Sequence, residues 1–421
     1  MKATLIAAAL LAGCGGGAGI APQALAFHNV PSAVSAPSAT PSPRRGEFPP
    51  TRGGIHLNLV FNYLVKSLDR EVGLIDVVWG AGSPEPKQVY NQWYTPFERA
   101  GPYRENHGLD WWKQHHPDWI EYRCDRKTVA FEFGERRDVP FDIGNPAVLV
   151  YQRSQGVDAA LAAGYNGIDF DNLQLGNSWH RCGHFTQGGG WAQEYSGRYT
   201  DPRYASDVLA WAQSTFTYIH QRSQTATMAI NFSYDSNFTS TQNDALATQT
   251  DEVLDEAGFT DWGTKGHNVT TPQEWKHIVG LIHAVQANKG CYMENGEEPT
   301  LSKDITQAER LWVVANYLLI RDDCTYVWMS GFTASGAQDY GRIILFPEYK
   351  LAVGSPAGAA EAVGDAWERS YSGGLALVNP SKHRVTIPLQ GSYVDENGQR
   401  YSGSITLDAA TGQILLAGSD D

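Results

Sequence analysis

The chain contains no basic run, and its 32 Lys and Arg are outnumbered by 46 Asp and Glu, for a formal charge of −14. Nucleic acid is held through clustered cations, so this balance argues against it as a partner, and against a polyanion held by general electrostatics. No GxGxxG loop follows a strand-like segment, which argues against a dinucleotide fold. The apolar run at the N-terminus, Leu5 to Leu11, falls far short of the roughly 20 residues that cross a bilayer. Cysteine is scarce, at five. What the chain does have is apolar and aromatic residues, 42% and 11%, a globular composition long enough for one large domain and a smaller one. Thirteen Trp and twenty Tyr would suit stacking on pyranose faces, though a large barrel also buries many aromatics.

Lys2, the short apolar run and then Leu11-Ala12-Gly13-Cys14 read as a signal peptide ending in a sequence that resembles the bacterial lipobox. Cys14 would then be lipidated, with residues 1–14 as the signal. An ordinary secretory signal cleaved near Ala24-Leu25-Ala26 is the alternative. Gly15 after the cysteine favours the outer membrane in a Gram-negative host. Residues 15–54 are Gly, Ala, Pro and Ser with almost no apolar periodicity, a tether too poor in apolar surface to order itself. The expected location is therefore extracytoplasmic, lipid-anchored or secreted. Four cysteines remain, and an even count in an exported chain points to disulfides. Of the three pairings we expect Cys124–Cys182 and Cys291–Cys324, with buried free thiols as the alternative.

From residue 55 strand-like and helix-like segments alternate. Strands are expected at Ile55–Asn62, Leu74–Trp79, around His116–Arg123, Gly167–Asn172, Thr227–Phe232, Thr250–Phe259, Gly290–Met293 and Cys324–Met329. Helices are expected around Trp111–Lys113 and over Pro146–Ala163, Tyr204–Gln224, Thr271–Ala287 and Asp304–Ile320. This is the α/β pattern of a (β/α)₈ TIM barrel over residues 55–345. Residues 346–421 change character: one helical stretch at Ala357–Ala366, then short alternating runs separated by turns, a small C-terminal antiparallel β domain.

The stretch Gly164-Tyr165-Asn166-Gly167-Ile168-Asp169-Phe170-Asp171-Asn172 concentrates the chemistry. Two carboxylates one residue apart at a strand's C-terminal tip are too costly to bury for packing alone, and a barrel presents that tip to its substrate. Glycoside hydrolysis needs two carboxyl groups, one to protonate the leaving oxygen and one to act as nucleophile or base. The second is sought on another strand end, and Asp251-Glu252-Val253-Leu254-Asp255-Glu256 is the richest source, with Glu294 a further candidate. Against these readings stand a helix-capping Asp and a solvated acidic loop.

Asp118-Trp119, Pro140 to Val148 and Gly164 to Asn172, in that order, resemble the glycosyl-hydrolase-like family 15 barrels. A more distant similarity is to the endo-α-1,4-polygalactosaminidase barrels, and Gly374 to Pro380 looks like the β domain that follows many glycosidase barrels. The resemblance implies Asp171 as nucleophile or base, with Asp169 as its neighbour, and Glu256 as general acid, with Asp255 close behind. Asn172, Trp79, Asn231 and Trp328 are the expected substrate contacts, and Asn58 and Asn62 sit on the first strand. His180, Cys182 and His184 alternate without closed-site metal spacing, so neither metal nor cofactor is expected. The expected function is a monomeric glycoside hydrolase acting on an extracellular or cell-surface polysaccharide. A carbohydrate-binding lipoprotein that kept the barrel and lost turnover is the alternative.

Overall fold

In a computed structural model of the chain, residues 54–60, 73–97, 99–100, 107–132, 139–260, 271–331 and 341–418 are described. Cys14, the tether and Asn62 lie outside these residues.

Eight parallel strands form one sheet: β1 (Asn58–Val60), β2 (Val77–Trp79), β3 (Tyr90–Pro96), β4 (Gly167–Asp171), β7 (Thr227–Asn231), β8 (Glu252–Asp255), β9 (Cys291–Glu298) and β10 (Thr325–Gly331). Their order follows the chain, and a parallel bridge from Leu57 to Val327 brings the last strand back to the first. The sheet is thus the near-closed barrel expected. A separate hairpin, β5 (Gly183–Phe185) and β6 (Trp191–Gln193), interrupts the sequence after β4.

Helices return the chain between strands: α1 (Leu109–His115), α2 (Pro146–Gln152), α3 (Ala159–Ala163), α4 (Pro202–Arg222), α5 (Ser240–Ala247), α6 (Pro272–Ala287) and α7 (Gln307–Ile320). Their starts are written in the sequence. Asp201 accepts from the N–H groups of Arg203 and Tyr204, with Pro202 at the first helical position. Thr239, Thr271 and Thr306 each form a capping box with Gln242, Glu274 and Glu309. Arg153–Asp158, wound as a π-helix, joins α2 to α3. No helix among the described residues is long and apolar enough to cross a membrane.

Three expectations need correction. The third barrel strand is β3, not His116–Arg123: Pro117–Trp119 forms a 3₁₀ turn, and Ile120 and Tyr122 make only isolated bridges, to Phe141, Val129 and Gly183. No helix lies between β2 and β3, so the β/α alternation is incomplete at that point. Ala357–Ala366 is not helical, because Gly358 and Gly364 break the run and Glu361–Val363 pairs as a strand, β11.

The C-terminal sheet is antiparallel, joining β11, β12 (Ala366–Tyr371), β13 (Gly374–Asn379), β16 (Thr411–Ala417), β14 (Val385–Val394) and β15 (Arg400–Leu407) in that order. It is fastened to the barrel at the end of α7. Arg369 donates to the carbonyls of Leu318, Leu319 and Arg321, and the Tyr371 hydroxyl donates to Leu318 O at 2.6 Å. Those are carbonyls a helix end leaves without partners, and a guanidinium suits the negative end of the dipole. Both expected disulfides form, Cys124–Cys182 and Cys291–Cys324.

Two glycines set β4. Gly164 closes α3 in the left-handed conformation, with φ of 95°, which costs a side-chain-bearing residue energy it does not cost glycine. Gly167 starts the strand where a Cβ would collide with the Thr227 hydroxyl and lie 2.9 Å from its carbonyl oxygen. Gly167→Ala should therefore push β4 away from β7 and cost about 1–3 kcal/mol, read as a lower midpoint in denaturant unfolding.

Candidate active site

β4, β7 and β8 are consecutive in the sheet, and their C-terminal ends bring Asp171, Asn231 and Glu256 together. The Asn231 side-chain amide donates to Asp171 Oδ1 at 2.8 Å and to Glu256 Oε2 at 2.6 Å. Turning that amide over would point its oxygen at two acceptors, so the contacts themselves fix its orientation. Because both oxygens touch one nitrogen, they lie no further apart than those two lengths together, about 5.4 Å. All three residues are buried to within a few per cent.

Asp171 is held from every side. The Tyr94 hydroxyl donates to Oδ2 at 2.8 Å, the Asn172 backbone N–H to Oδ1 at 3.0 Å and the Asn172 amide to Oδ2 at 3.2 Å. Asn172 sits at φ of 57°, a left-handed conformation that asparagine tolerates better than most residues, and its N–H meets the carboxylate of the preceding residue. Arg99 in turn donates to the Tyr94 hydroxyl at 3.3 Å. Glu256 is anchored through its backbone carbonyl, which accepts from the Asn295 amide at 3.0 Å.

Asp169 and Asp255 are placed differently. Asp169 is fully buried, inside the barrel below Asp171, and accepts from the Gly80 N–H. Burial raises its pKa well above the usual carboxylate range, the charges of Glu252 and Asp171 add to this, and the Gly80 N–H opposes it. Asp255 accepts from the Ser233 hydroxyl at 2.6 Å, the Gly258 N–H at 3.1 Å and the Tyr292 hydroxyl at 3.0 Å. Burial raises it too, against those three donors. Glu294 pairs in register with Asp255 and accepts from the Phe259 N–H at 2.9 Å. The structure therefore groups Asp171 with Glu256, and Asp255 with Glu294.

The aromatic candidates lie inside the fold. Trp79 is fully buried, with its ring edge-on to Tyr94 at 6.0 Å, so it supports the tyrosine that holds Asp171. Trp328 is buried and stacked on Tyr349 at 5.9 Å. Asn58 is buried in β1. Sequence reasoning missed Tyr94, although Tyr90-Asn91-Gln92-Trp93-Tyr94-Thr95 has the aromatic enrichment of a strand. Two surface cavities of about 450 and 350 Å³ lie along α4 and beside β1, and neither lining brings two carboxylates together.

No protein-family model and no curated protein sequence matches the chain. Solved structures do. Isomaltulose synthase from Klebsiella sp. LX3 is similar at 9% identity and a TM-score of 0.52, covering 86% of this chain and 98% of that one. A noncanonic maltogenic alpha-amylase from Thermotoga neapolitana matches at 12% identity and a TM-score of 0.49, over 86% and 98%. The glycoside hydrolase domain of PelA from Pseudomonas aeruginosa matches at 11% and 0.41, over 69% and 97%. At such identities the likeness is one of fold, and the fold is a TIM barrel followed by a β sheet.

Deeper in the barrel, Glu252 accepts from the Gln92 amide at 2.7 Å. Burial pushes its carboxyl up to about 8, with that hydrogen bond opposing and the Asp251 charge adding. An unfolded glutamate titrates near about 4.3, so between these values the folded chain binds more protons than the unfolded one, and stability falls as pH rises. Glu252→Gln keeps an acceptor for Gln92 and removes the titration. Its stability relative to wild type should be close to unchanged at about pH 4 and higher by several kcal/mol, on the order of 5, at about pH 8.5, measured by denaturant unfolding at both values.

Proposed function

We propose that the protein is a glycoside hydrolase that cleaves O-glycosidic bonds in a polysaccharide, with Asp171 as nucleophile and Glu256 as acid and base. The observation that carries this reading is the Asn231 amide shared by two carboxylates at neighbouring strand ends. Carboxyl groups about 5–5.5 Å apart suit double displacement, whereas about 6.5–9.5 Å leaves room for a water between sugar and base. The Asn231 contacts hold one oxygen of each carboxylate within about 5.4 Å of the other, which favours the first arrangement.

In this scheme Glu256 gives its proton to the glycosidic oxygen while an Asp171 oxygen attacks the anomeric carbon. The leaving sugar departs as an alcohol and the glycosyl group stays on Asp171 as an ester. Glu256, now ionised, takes a proton from water, whose oxygen attacks the same carbon and frees Asp171. Asn231 touches both carboxylates, Asn172 and Tyr94 keep Asp171 aimed, and Asp169 and Asp255 shape the surrounding field. The ordered resemblance to the glycosyl-hydrolase-like family 15 barrels supports this assignment, as does the likeness of fold. The lipobox-like Leu11 to Cys14 and the two disulfides support an exported, lipid-anchored protein acting on extracellular or surface polysaccharide.

Screening the full chain on a polysaccharide panel for released reducing ends tests the proposal and identifies the substrate. Asp171→Asn and Glu256→Gln should fold with unchanged circular dichroism and lose about 10²–10⁴-fold or more in rate. Full activity in both variants would overturn the assignment. Glycan binding without reducing ends, unaffected by either change, would point instead to a binding protein on a glycosidase-like barrel.

A further inference from the structure

Away from Asp171 and Glu256, four side chains converge beside the β5–β6 hairpin. Glu121 lies between the two isolated bridges made by Ile120 and Tyr122, Asp142 follows Phe141, His184 is in β5 and Glu194 follows β6. One ligand atom from each lies within 4.8 Å of all the others. His184 Nδ1 is 3.5 Å from Asp142 Oδ2 and 3.8 Å from Glu194 Oε2. Ligands about 2.0–2.2 Å from a tetrahedral ion sit about 3.3–3.6 Å from one another, so a small contraction closes the shell.

The second observation is Glu121 itself. It is fully buried, and neither carboxylate oxygen makes a hydrogen bond of normal geometry. A buried carboxylate left like this is costly unless a cation meets it. No ion pair to Glu121 forms with the two arginines nearby. Arg181 is buried 3.8 Å from Glu132, and Arg203, largely exposed, reaches Glu194 at 3.5 Å and Asp207 at 3.9 Å. His184 also has no hydrogen bond at Nδ1. Its sequence neighbours take no part, since Cys182 is in a disulfide and His180 contacts the Gly197 carbonyl at 2.9 Å.

We propose that Glu121, Asp142, His184 and Glu194 bind a single divalent transition-metal ion, Zn²⁺ or Mn²⁺, that ties the β5–β6 hairpin to the segments before α2. This departs from the expectation of no metal, which weighed only the alternating His180, Cys182 and His184. One imidazole among three carboxylates favours Zn²⁺ or Mn²⁺ over Ca²⁺ and Mg²⁺, which take oxygen ligands. The ion is structural, since all four side chains are spent on it and no residue of the Asp171–Glu256 pair is among them.

The full chain, stripped with chelator and then exposed separately to Zn²⁺, Mn²⁺ and Ca²⁺, provides the test. After gel filtration, elemental analysis should find one Zn²⁺ or Mn²⁺ per chain and no Ca²⁺, and the ion should raise the unfolding midpoint by several degrees. Glu121→Gln and His184→Gln should each weaken binding at least about tenfold and abolish the metal-dependent rise. Stripped Glu121→Gln should unfold no earlier than stripped wild type, because neither Glu121 oxygen makes a hydrogen bond that the change would lose. Should that variant fail to fold, Glu194→Gln, at a partly exposed position, reports in its place. A stripped wild type that takes up neither ion overturns the proposal, and so does a folded variant that binds as tightly as wild type.

Discussion

Two carboxylates with oxygens within about 5.4 Å of each other repel, and here the Asn231 amide offsets that repulsion by donating to both. The rest of the site follows from keeping it there. β7 must lie between β4 and β8, so that an asparagine at one strand end can reach acids at both neighbouring ends. β4 must approach β7 closely enough that only glycine fits at position 167. Tyr94 must come from β3, on the far side of β4, to hold the other oxygen of Asp171. A shift of one residue in any of these registers would turn the carboxylate to the opposite face of the sheet.

The barrel bears a cost for this acidity. Asp169, Glu252, Asp255 and Glu294 are all buried around the pair, and burial raises each of them. Groups held in that way oppose folding as pH rises. Features that act against this loss sit elsewhere: three capping boxes, two disulfides and the Arg369 and Tyr371 contacts that tie the C-terminal sheet to the end of α7. The unfavourable burial is thus concentrated in the barrel interior, and the stabilising contacts lie in the surrounding frame.

Much of the frame was legible in the sequence because local signals and tertiary structure agree there. Gly164 and Gly167 bracket the turn into a strand whose apolar Ile168 and Phe170 alternate with acids, and the helices expected at Thr271–Ala287 and Asp304–Ile320 fall on α6 and α7. β3 was not legible. Its barrel-facing positions include Gln92, which bonds to Glu252 across the interior, so the strand carries no apolar alternation to read. The segment His116–Arg123 looked like a strand because its residues do make bridges, but singly and away from the barrel sheet. Asp171 and Glu256 could each be proposed from their strand ends, yet that Asn231 joins them is a fact of sheet order. The Glu121 cluster draws on four segments spread over 74 positions, and no spacing rule would have gathered them.

The separation of Asp171 and Glu256 makes the stereochemical outcome the most direct test. Once a substrate is found, proton NMR of the first-formed product reports the configuration at the anomeric carbon before mutarotation. Retention is the result expected from carboxylates this close, through an ester on Asp171. Inversion would require a water between sugar and base, and would contradict the placement of Asn231 between the two acids.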